Sequence, residues 1–298
     1  MGGGMKRMMR RLVPQVVLGL VMWAGVWEGV GAEGLPGALA VPDRGKREVR
    51  LVTWNILGGR GPGGTHPHEG LAEVIRILQA DAVALQEVDV KTTRAKGVDL
   101  VARLAELTGM RGYFAEAMPF QGGSYGEAVL TRFKVGKEER VALPAAAGYE
   151  PRAMLALELQ PEFGGKPFWF AGVHLDHQDD GVRSGQVGEM LRFFGGGGRE
   201  GMASVVAGDF NAGPEAASLG PLVKGWKLSW PGGKAEPTWP AVGPKEAIDH
   251  LFFGPAGRWE VVRVLRGDRV FPDSAAWKAR LEALSDHLPV VVEAVLRP

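Results

Sequence analysis

The sequence predicts an α+β fold in which two mixed β-sheets pack face to face and carry helices on their outer surfaces, a four-layer α/β/β/α sandwich. Three observations point there. Nine short apolar or alternating runs have the length and β-branched content of strands. Four other segments repeat their apolar residues at helical spacing. The helical segments interrupt the strand series early and late and leave a strand-rich middle, unlike the regular strand–helix alternation of a doubly wound sheet.

In chain order, residues 1–32 read as an export signal. Lys6, Arg7, Arg10 and Arg11 precede an apolar run at 12–27, and Val30 and Ala32 occupy the −3 and −1 places of a cleavage site. A second candidate cut follows Ala40. The apolar run contains Pro14 and Gln15 and is shorter than the roughly 20 residues that span a bilayer, so no membrane anchor is expected after cleavage and the product is periplasmic or extracellular. Residues 33–47 are polar, punctuated by Gly and Pro, and read as a flexible lead to one domain at 48–298.

Within that domain, strands are expected at 49–56, 82–86, 128–131, 154–159, 168–173, 203–207, 248–253, 261–265 and 288–296. Helices are expected at 68–79, 98–107, 185–194 and 274–284; in the first, Leu71, Val74, Ile75 and Leu78 share one face. The glycine run 195–198 and the stretch 231–244 read as loops. No internal repeat is evident.

Composition narrows the chemistry. With no cysteine among 298 residues, disulfides, thiolate zinc sites and cysteine nucleophiles are excluded. Loss of residues 1–32, which carry four basic residues and Glu28, takes the formal charge from +1 to −2. The broad basic face of a tight nonspecific duplex binder is therefore absent.

Polar residues that suit a hard cation recur at the ends of the expected strands. Asn55 ends the first and Glu87 follows the second. His174 follows the strand at 168–173, Asp209 and Asn211 follow 203–207, Asp249 opens another strand, and Asp286 and His287 precede the last. Strand ends gather at one rim of a sandwich, so these segments can share a site. Carboxylates and amide oxygens suit Mg²⁺ or Mn²⁺, and neighbouring histidines can move protons near neutral pH.

The ordered set TWNI, LQEVD, YGEAVL, HLDH, GDFNA, IDHLFF and SDHLPV, spread between residues 49 and 292, resembles the endonuclease/exonuclease/phosphatase superfamily. That resemblance implies a divalent-metal-dependent hydrolase of phosphoesters acting by in-line attack of water. It implies Glu87 as metal ligand, Asn55 at the metal site or on a phosphate oxygen, and Asp286 as a carboxylate near the metal. Asp209 would orient and polarise the water, and Asn211 would hold a nonbridging oxygen or that water. Asp249 would pair with His287, which stabilises phosphoryl charge or shuttles a proton. His174 would bind phosphate and, as in the secreted nucleases, serve as general acid.

One motif departs from the bacterial pattern, where YGNAVL is common: here Glu127 takes the asparagine's place. By resemblance to secreted nucleases, Glu127 is expected to hydrogen-bond His174 and hold it protonated. Arg94, Arg152 and Tyr125 are candidate phosphate contacts. Trp54, His250 and Trp239 read mainly as structural, although Trp239 could also stack on a substrate; His66 and His68 read as exposed. The substrates expected are phosphodiesters, nucleic acid among them. A lipid head group or small phosphoester is the alternative, and a catalytically inactive binding protein the third reading. No protein partner is implied.

Overall fold

In the computed structural model, the described residues are Gly37 and 48–297. The expected export segment lies outside them, as does the lead apart from Gly37. The domain begins with β1 (Glu48–Asn55), α1 (His68–Leu78), β2 (Ala82–Val90), α2 (Leu100–Thr108), β3 (Arg111–Phe120) and β4 (Gly123–Thr131). It continues with β5 (Lys134–Leu143), β6 (Arg152–Gln160), β7 (Phe168–His174), α3 (Asp180–Phe194) and β8 (Ser204–Asp209). The last third holds α4 (Gly220–Gly225), β9 (Lys227–Leu228), β10 (Asp249–Gly254), β11 (Trp259–Arg266), α5 (Ala275–Leu284) and β12 (Val290–Leu296).

These strands form two six-stranded sheets, ordered β11-β12-β1-β2-β4-β3 and β5-β6-β7-β8-β10-β9. Each sheet has one parallel pair joined through a helix, β1-α1-β2 in the first and β7-α3-β8 in the second. The other pairings are antiparallel. The expected two-sheet sandwich is therefore what forms.

Period-two alternation assigns the layers. Val49 and Leu51 of β1 pack between the sheets with Leu155, Leu157, Phe168, Phe170, Val205, Ala207 and Leu251, while Val52 and Trp54 face α1, α2 and α5. On the second sheet Trp169, Ala171, Val173 and Val206 face α3 and α4. Each fully buried Leu, Val or Phe contributes about 1.5–3 kcal/mol relative to exposure. At the far end of β1 from Asn55, buried Arg50 donates to Glu293 Oε1 at 2.7 Å and to the Leu78 carbonyl at 3.0 Å, tying β1 to β12 and α1.

Strands β3, β5 and β9 lack counterparts among the expected elements. All three are sheet edges; β9 has only two residues, and β3 and β5 bear charge on exposed faces (Lys137, Glu138 and Arg140 in β5), so the apolar pattern that marks a strand is missing. Helix α3 begins five residues earlier than its apolar spacing suggests, at the cap where Asp179 Oδ1 accepts from the Val182 amide at 2.8 Å. His68, expected to be exposed, is buried in the first turn of α1. Among the described residues no helix is long and apolar enough to cross a membrane.

Candidate active site

Strand register builds the site. His174 stands opposite Asp209 across the β7–β8 pair, and Asp209 stands opposite Asp249 across β8–β10, giving one row of three side chains on the inter-sheet face. Each ends an inward-facing row that is apolar deeper in the core: Val205 and Ala207 before Asp209, Phe168 and Phe170 before His174. Asn55 completes the same pattern in β1 after Val49 and Leu51, and Glu127 sits one inward step from Val129 in β4. The core thus turns polar at one rim.

Two backbone distortions aim further groups there. The β2–β4 register shifts between Leu85 and Val88, and inside that irregularity Glu87 has a left-handed φ of 58°. For a glutamate this conformation carries strain, which concentrates at functional sites. Asn211 has φ 50°, which asparagine tolerates better, with its amide donating to Asp209 Oδ1 at 2.9 Å.

The result is a cavity of about 560 Å³. Lining it are Glu87, Asp209, Asn211, Asp286 and His287, with His174, Arg94, Tyr125 and Arg152 along the same wall. Asn55, Glu127 and Asp249 are buried behind this surface. The twelve residues singled out from sequence are therefore brought together, nine on the cavity wall and three supporting it.

His287 Nδ1 lies 2.9 Å from Asp249 Oδ2, which also accepts from Thr238 Oγ1 at 2.5 Å. Burial opposes a charge on His287, but the Asp249 carboxylate outweighs it and pushes the imidazole up to about 10. The ring is therefore a cation at neutral pH. Its Nε2 lies 3.7 Å from Asp209 Oδ2. Burial, followed by the nearby Asp249 charge, raises the Asp209 carboxyl above the ordinary range. Trp54 Nε1 donates to the His287 carbonyl at 2.9 Å, and Ser285 Oγ accepts from the His287 amide, so the loop carrying the histidine is fastened to β1.

Several side chains depart from their expected roles. Asn55 Nδ2 donates to Glu87 Oε1 at 3.0 Å and to Asp209 Oδ2 at 3.1 Å, while its Oδ1 accepts from the Leu57 amide. Its amide bridges two carboxylates instead of offering oxygen to an ion; reversing it would set oxygen against both. Arg94 is engaged in a two-pronged ion pair with Asp89 (2.7 and 3.0 Å) and lies over Phe120. The expected Glu127–His174 hydrogen bond is not made. Both Glu127 oxygens lack a hydrogen-bond partner, and the two His174 ring nitrogens face Arg152 Nη1 at 3.1 Å and Asn211 Nδ2 at 3.0 Å. Burial and then the Arg152 charge push the His174 imidazole well below its usual value, opposite to the expected direction.

Asp209, Asp249 and His287 present ligand atoms within 4.8 Å of one another, a group able to hold a metal ion. His287, however, is cationic and already spends Nδ1 on Asp249. The stronger donor set is Glu87 with Asp286. Burial raises the Glu87 carboxyl and the Asp286 charge adds to that, while Asp286 Oδ1 is buried without a partner. Two mutually repelling carboxylates facing one cavity suit a hard divalent ion.

Sequence reasoning missed Met118, Phe120, Glu150, Glu246 and Ile248 on the cavity wall, and Thr238 behind Asp249. Met118 and Phe120 belong to the unexpected edge strand β3; Thr238, in the segment PTWP, carried no signal on its own. Trp239 lines the cavity with Nε1 donating to Asp286 Oδ2 at 3.3 Å. His250 is structural, with Nε2 2.9 Å from the Ala212 carbonyl.

Two mixed sheets whose polar rims close around carboxylates, amides and an Asp–His pair define a hydrolase fold. The chain belongs to the Endonuclease/Exonuclease/phosphatase family, whose profile matches residues 52–287. A search of curated proteins finds no match. Among solved structures, it is similar to an endonuclease/exonuclease/phosphatase from Beutenbergia cavernae DSM 12333, with 24% identity, TM-score 0.66, and coverage of 84% of this chain and 72% of that one. The human Nocturnin catalytic domain with bound sulfate has 21% identity and TM-score 0.65 over 84% and 95% of the two chains. A mannosyl-6-phosphatase from Bacteroides thetaiotaomicron VPI-5482 has 21% identity and TM-score 0.63 over 83% and 100%. At these identities the likeness is one of fold.

Proposed function

We propose that this chain is a divalent-metal-dependent phosphoester hydrolase, exported by its N-terminal segment. The observation that carries the reading is the convergence of Glu87, Asp286, Asp209, Asn211 and the Asp249–His287 pair on one cavity. Glu87 and Asp286 would hold Mg²⁺ or Mn²⁺, which supplies a Lewis acid for the phosphate when bound. Asp209, kept basic by burial, accepts the proton of the attacking water, and Asn211 beside it helps hold that water. Imidazolium His287 neutralises charge growing on the phosphoryl oxygens. Water forms the new bond to phosphorus as the leaving oxygen departs on the opposite side, with no covalent enzyme intermediate.

The cavity favours a small phosphoester over a tracked duplex. Its volume of about 560 Å³ suits a compact ligand. Met118, Phe120, Trp239 and Ile248 offer apolar surface for a leaving group, while the two wall arginines are already paired, with Asp89 and Glu150. A nuclease or phosphodiesterase acting on single strands or ends is the rival. Hydrolysis of bis-p-nitrophenyl phosphate with and without EDTA tests catalysis. A panel of sugar phosphates, inositol phosphates, sphingomyelin, RNA and plasmid DNA then separates the substrate classes. Absence of metal-dependent release from every one overturns the reading; fractionation of producing cells tests export.

A further inference from the structure

The place expected for an acidic partner of His174 is occupied by a cation. Arg152 opens β6, buried to 3% exposure, and Glu150 Oε1 fixes its Nη1 at 2.7 Å. That same Nη1 lies 3.1 Å from His174 Nδ1. A guanidinium has five donors, no acceptor and a permanent charge. Nδ1 can therefore make a favourable contact with Arg152 only as the unprotonated acceptor.

The other ring nitrogen meets different groups. His174 Nε2 lies 3.5 Å from Asp209 Oδ2 and 3.0 Å from Asn211 Nδ2. Asn211 Nδ2 also donates to the Leu175 carbonyl at 3.0 Å, so turning the amide would set oxygen against oxygen. Two donors thus approach one ring, and a neutral imidazole accepts at only one nitrogen. The charged donor prevails, because charge-assisted bonds are roughly twice as strong as neutral ones. Nε2 then carries the proton, with the Asp209 carboxylate as the acceptor nearby and Asn211 left to the Leu175 carbonyl.

We propose that Arg152 is a positioning residue that fixes His174 as the neutral tautomer protonated at Nε2, so that His174 serves as a hydrogen-bond donor to the bound phosphoryl group and not as the acid that protonates the leaving oxygen. The tautomer rests on these contacts and on the greater strength of the charged one; its catalytic consequence rests on the phosphoester reading above. It separates this chain from the two-histidine acid–base scheme that Glu127 suggested, because buried Glu127 makes no hydrogen bond to His174.

The tautomer is read directly from two-bond ¹H–¹⁵N correlation spectra of ¹⁵N-histidine-labelled protein, with His174 assigned by loss of its signals in His174→Gln. The expected wild-type pattern near neutral pH is a neutral ring protonated at Nε2. Arg152→Met should move the population toward the Nδ1-protonated form, with Asn211 now donating to Nε2, and Arg152→Lys should restore the wild-type pattern. An Nδ1-protonated or doubly protonated ring in wild type overturns the proposal, as does an unchanged tautomer in folded Arg152→Met. The wild-type spectrum decides even where that variant fails to fold, and it requires no activity.

The catalytic arm uses side-chain mimicry. Glutamine places an N–H donor near the position of Nε2, so His174→Gln should keep kcat within about tenfold of wild type. His174→Ala and His174→Asn should lose about 100-fold or more, the scale of a mispositioned or missing catalytic group. Equal losses in the Gln and Ala variants would show that the ring must give up its proton, against the proposal.

Discussion

Replacing Asp249 with asparagine isolates the charge that makes His287 a cation. The change keeps the shape: both contacts to Asp249, from Thr238 Oγ1 and His287 Nδ1, fall on Oδ2, and an asparagine oxygen can take both. What disappears is the carboxylate that offsets burial. His287 is pushed up to about 10 with Asp249 in place; without that carboxylate, burial pulls the ring back toward the ordinary histidine range, opposed only by the weaker pull of Asp209 and Asp286. For a ring returned to an ordinary ~6.5, the cationic fraction at pH 8 falls from about 99% to about 3%, a drop of ~30-fold in competent enzyme. Loss of ring orientation adds to this, toward the ~10⁴-fold seen when the carboxylate of a serine-protease triad is neutralised. The assay is a pH–rate profile on bis-p-nitrophenyl phosphate at saturating Mg²⁺. Wild-type activity should persist until the pH approaches 10, and the variant's falling limb should lie about three pH units lower. Stability carries the same sign: a histidine raised on folding stabilises fully below pH 6.5 and loses that contribution as pH rises through its folded value. The wild-type melting temperature should therefore decline between pH 6.5 and about 10, and the variant should be flatter there. Asp249→Asn enzyme with activity within threefold of wild type at pH 8 would refute the reasoning.

Three further outcomes are expected. Dialysis against EDTA should abolish activity and Mg²⁺ or Mn²⁺ restore it. Saturating metal at 100 times Kd should stabilise the fold by about 2.7 kcal/mol, and unchanged calorimetric affinity in both Glu87→Gln and Asp286→Asn would remove those carboxylates as the ligands. Gly208→Ala should cost more than about 3 kcal/mol in denaturant unfolding, because a Cβ there would sit 2.0 Å from the Val173 carbonyl oxygen; a loss below 1 kcal/mol would mean that β7 and β8 can spread. Arg50→Met should cost about 1–3 kcal/mol by taking the Arg50 donor from the Leu78 carbonyl, while Glu293 keeps its pair with Arg263, and a variant as stable as wild type would show the Arg50 contacts to be dispensable.

The sequence announced the interior strands because burial on both faces requires unbroken apolar residues, as in Phe168–His174 and Ser204–Asp209. It concealed β3 and β5, whose exposed sides carry Arg111, Glu116, Lys137 and Glu138. In the site, residue type sufficed to find Glu87, Asp209 and His287, since buried carboxylates and histidines need a reason to be at strand ends. It could not say what each would touch. Asn55 turns its oxygen to its own chain, and Arg94 is spent on Asp89 five residues away. Glu127 and Arg152 exchange the places that motif resemblance would give them: the cation meets the histidine and the carboxylate is left without a hydrogen-bond partner. Such details depend on side-chain directions fixed by packing between sheets, which no local pattern encodes.

The convergence itself has a topological cause. No repeat is visible in the residues, yet the two sheets have the same plan, an antiparallel edge pair, then a parallel pair bridged by a helix, then two further strands. In an open sheet a site forms outside the carboxyl ends of its parallel strands, where the connecting loops diverge. Here there are two such ends, Asn55 and Glu87 on one sheet and His174 and Asp209 on the other, and face-to-face packing brings them against each other. Asn55 bridging Glu87 to Asp209 is the bond that joins them. Each half brings part of the proposed chemistry: the first sheet supplies Glu87, and the second supplies Asp209, proposed to take the water's proton, with the Asp249 that faces His287. A change in how the sheets pack would therefore separate Glu87 from Asp209 before it disturbed either half alone.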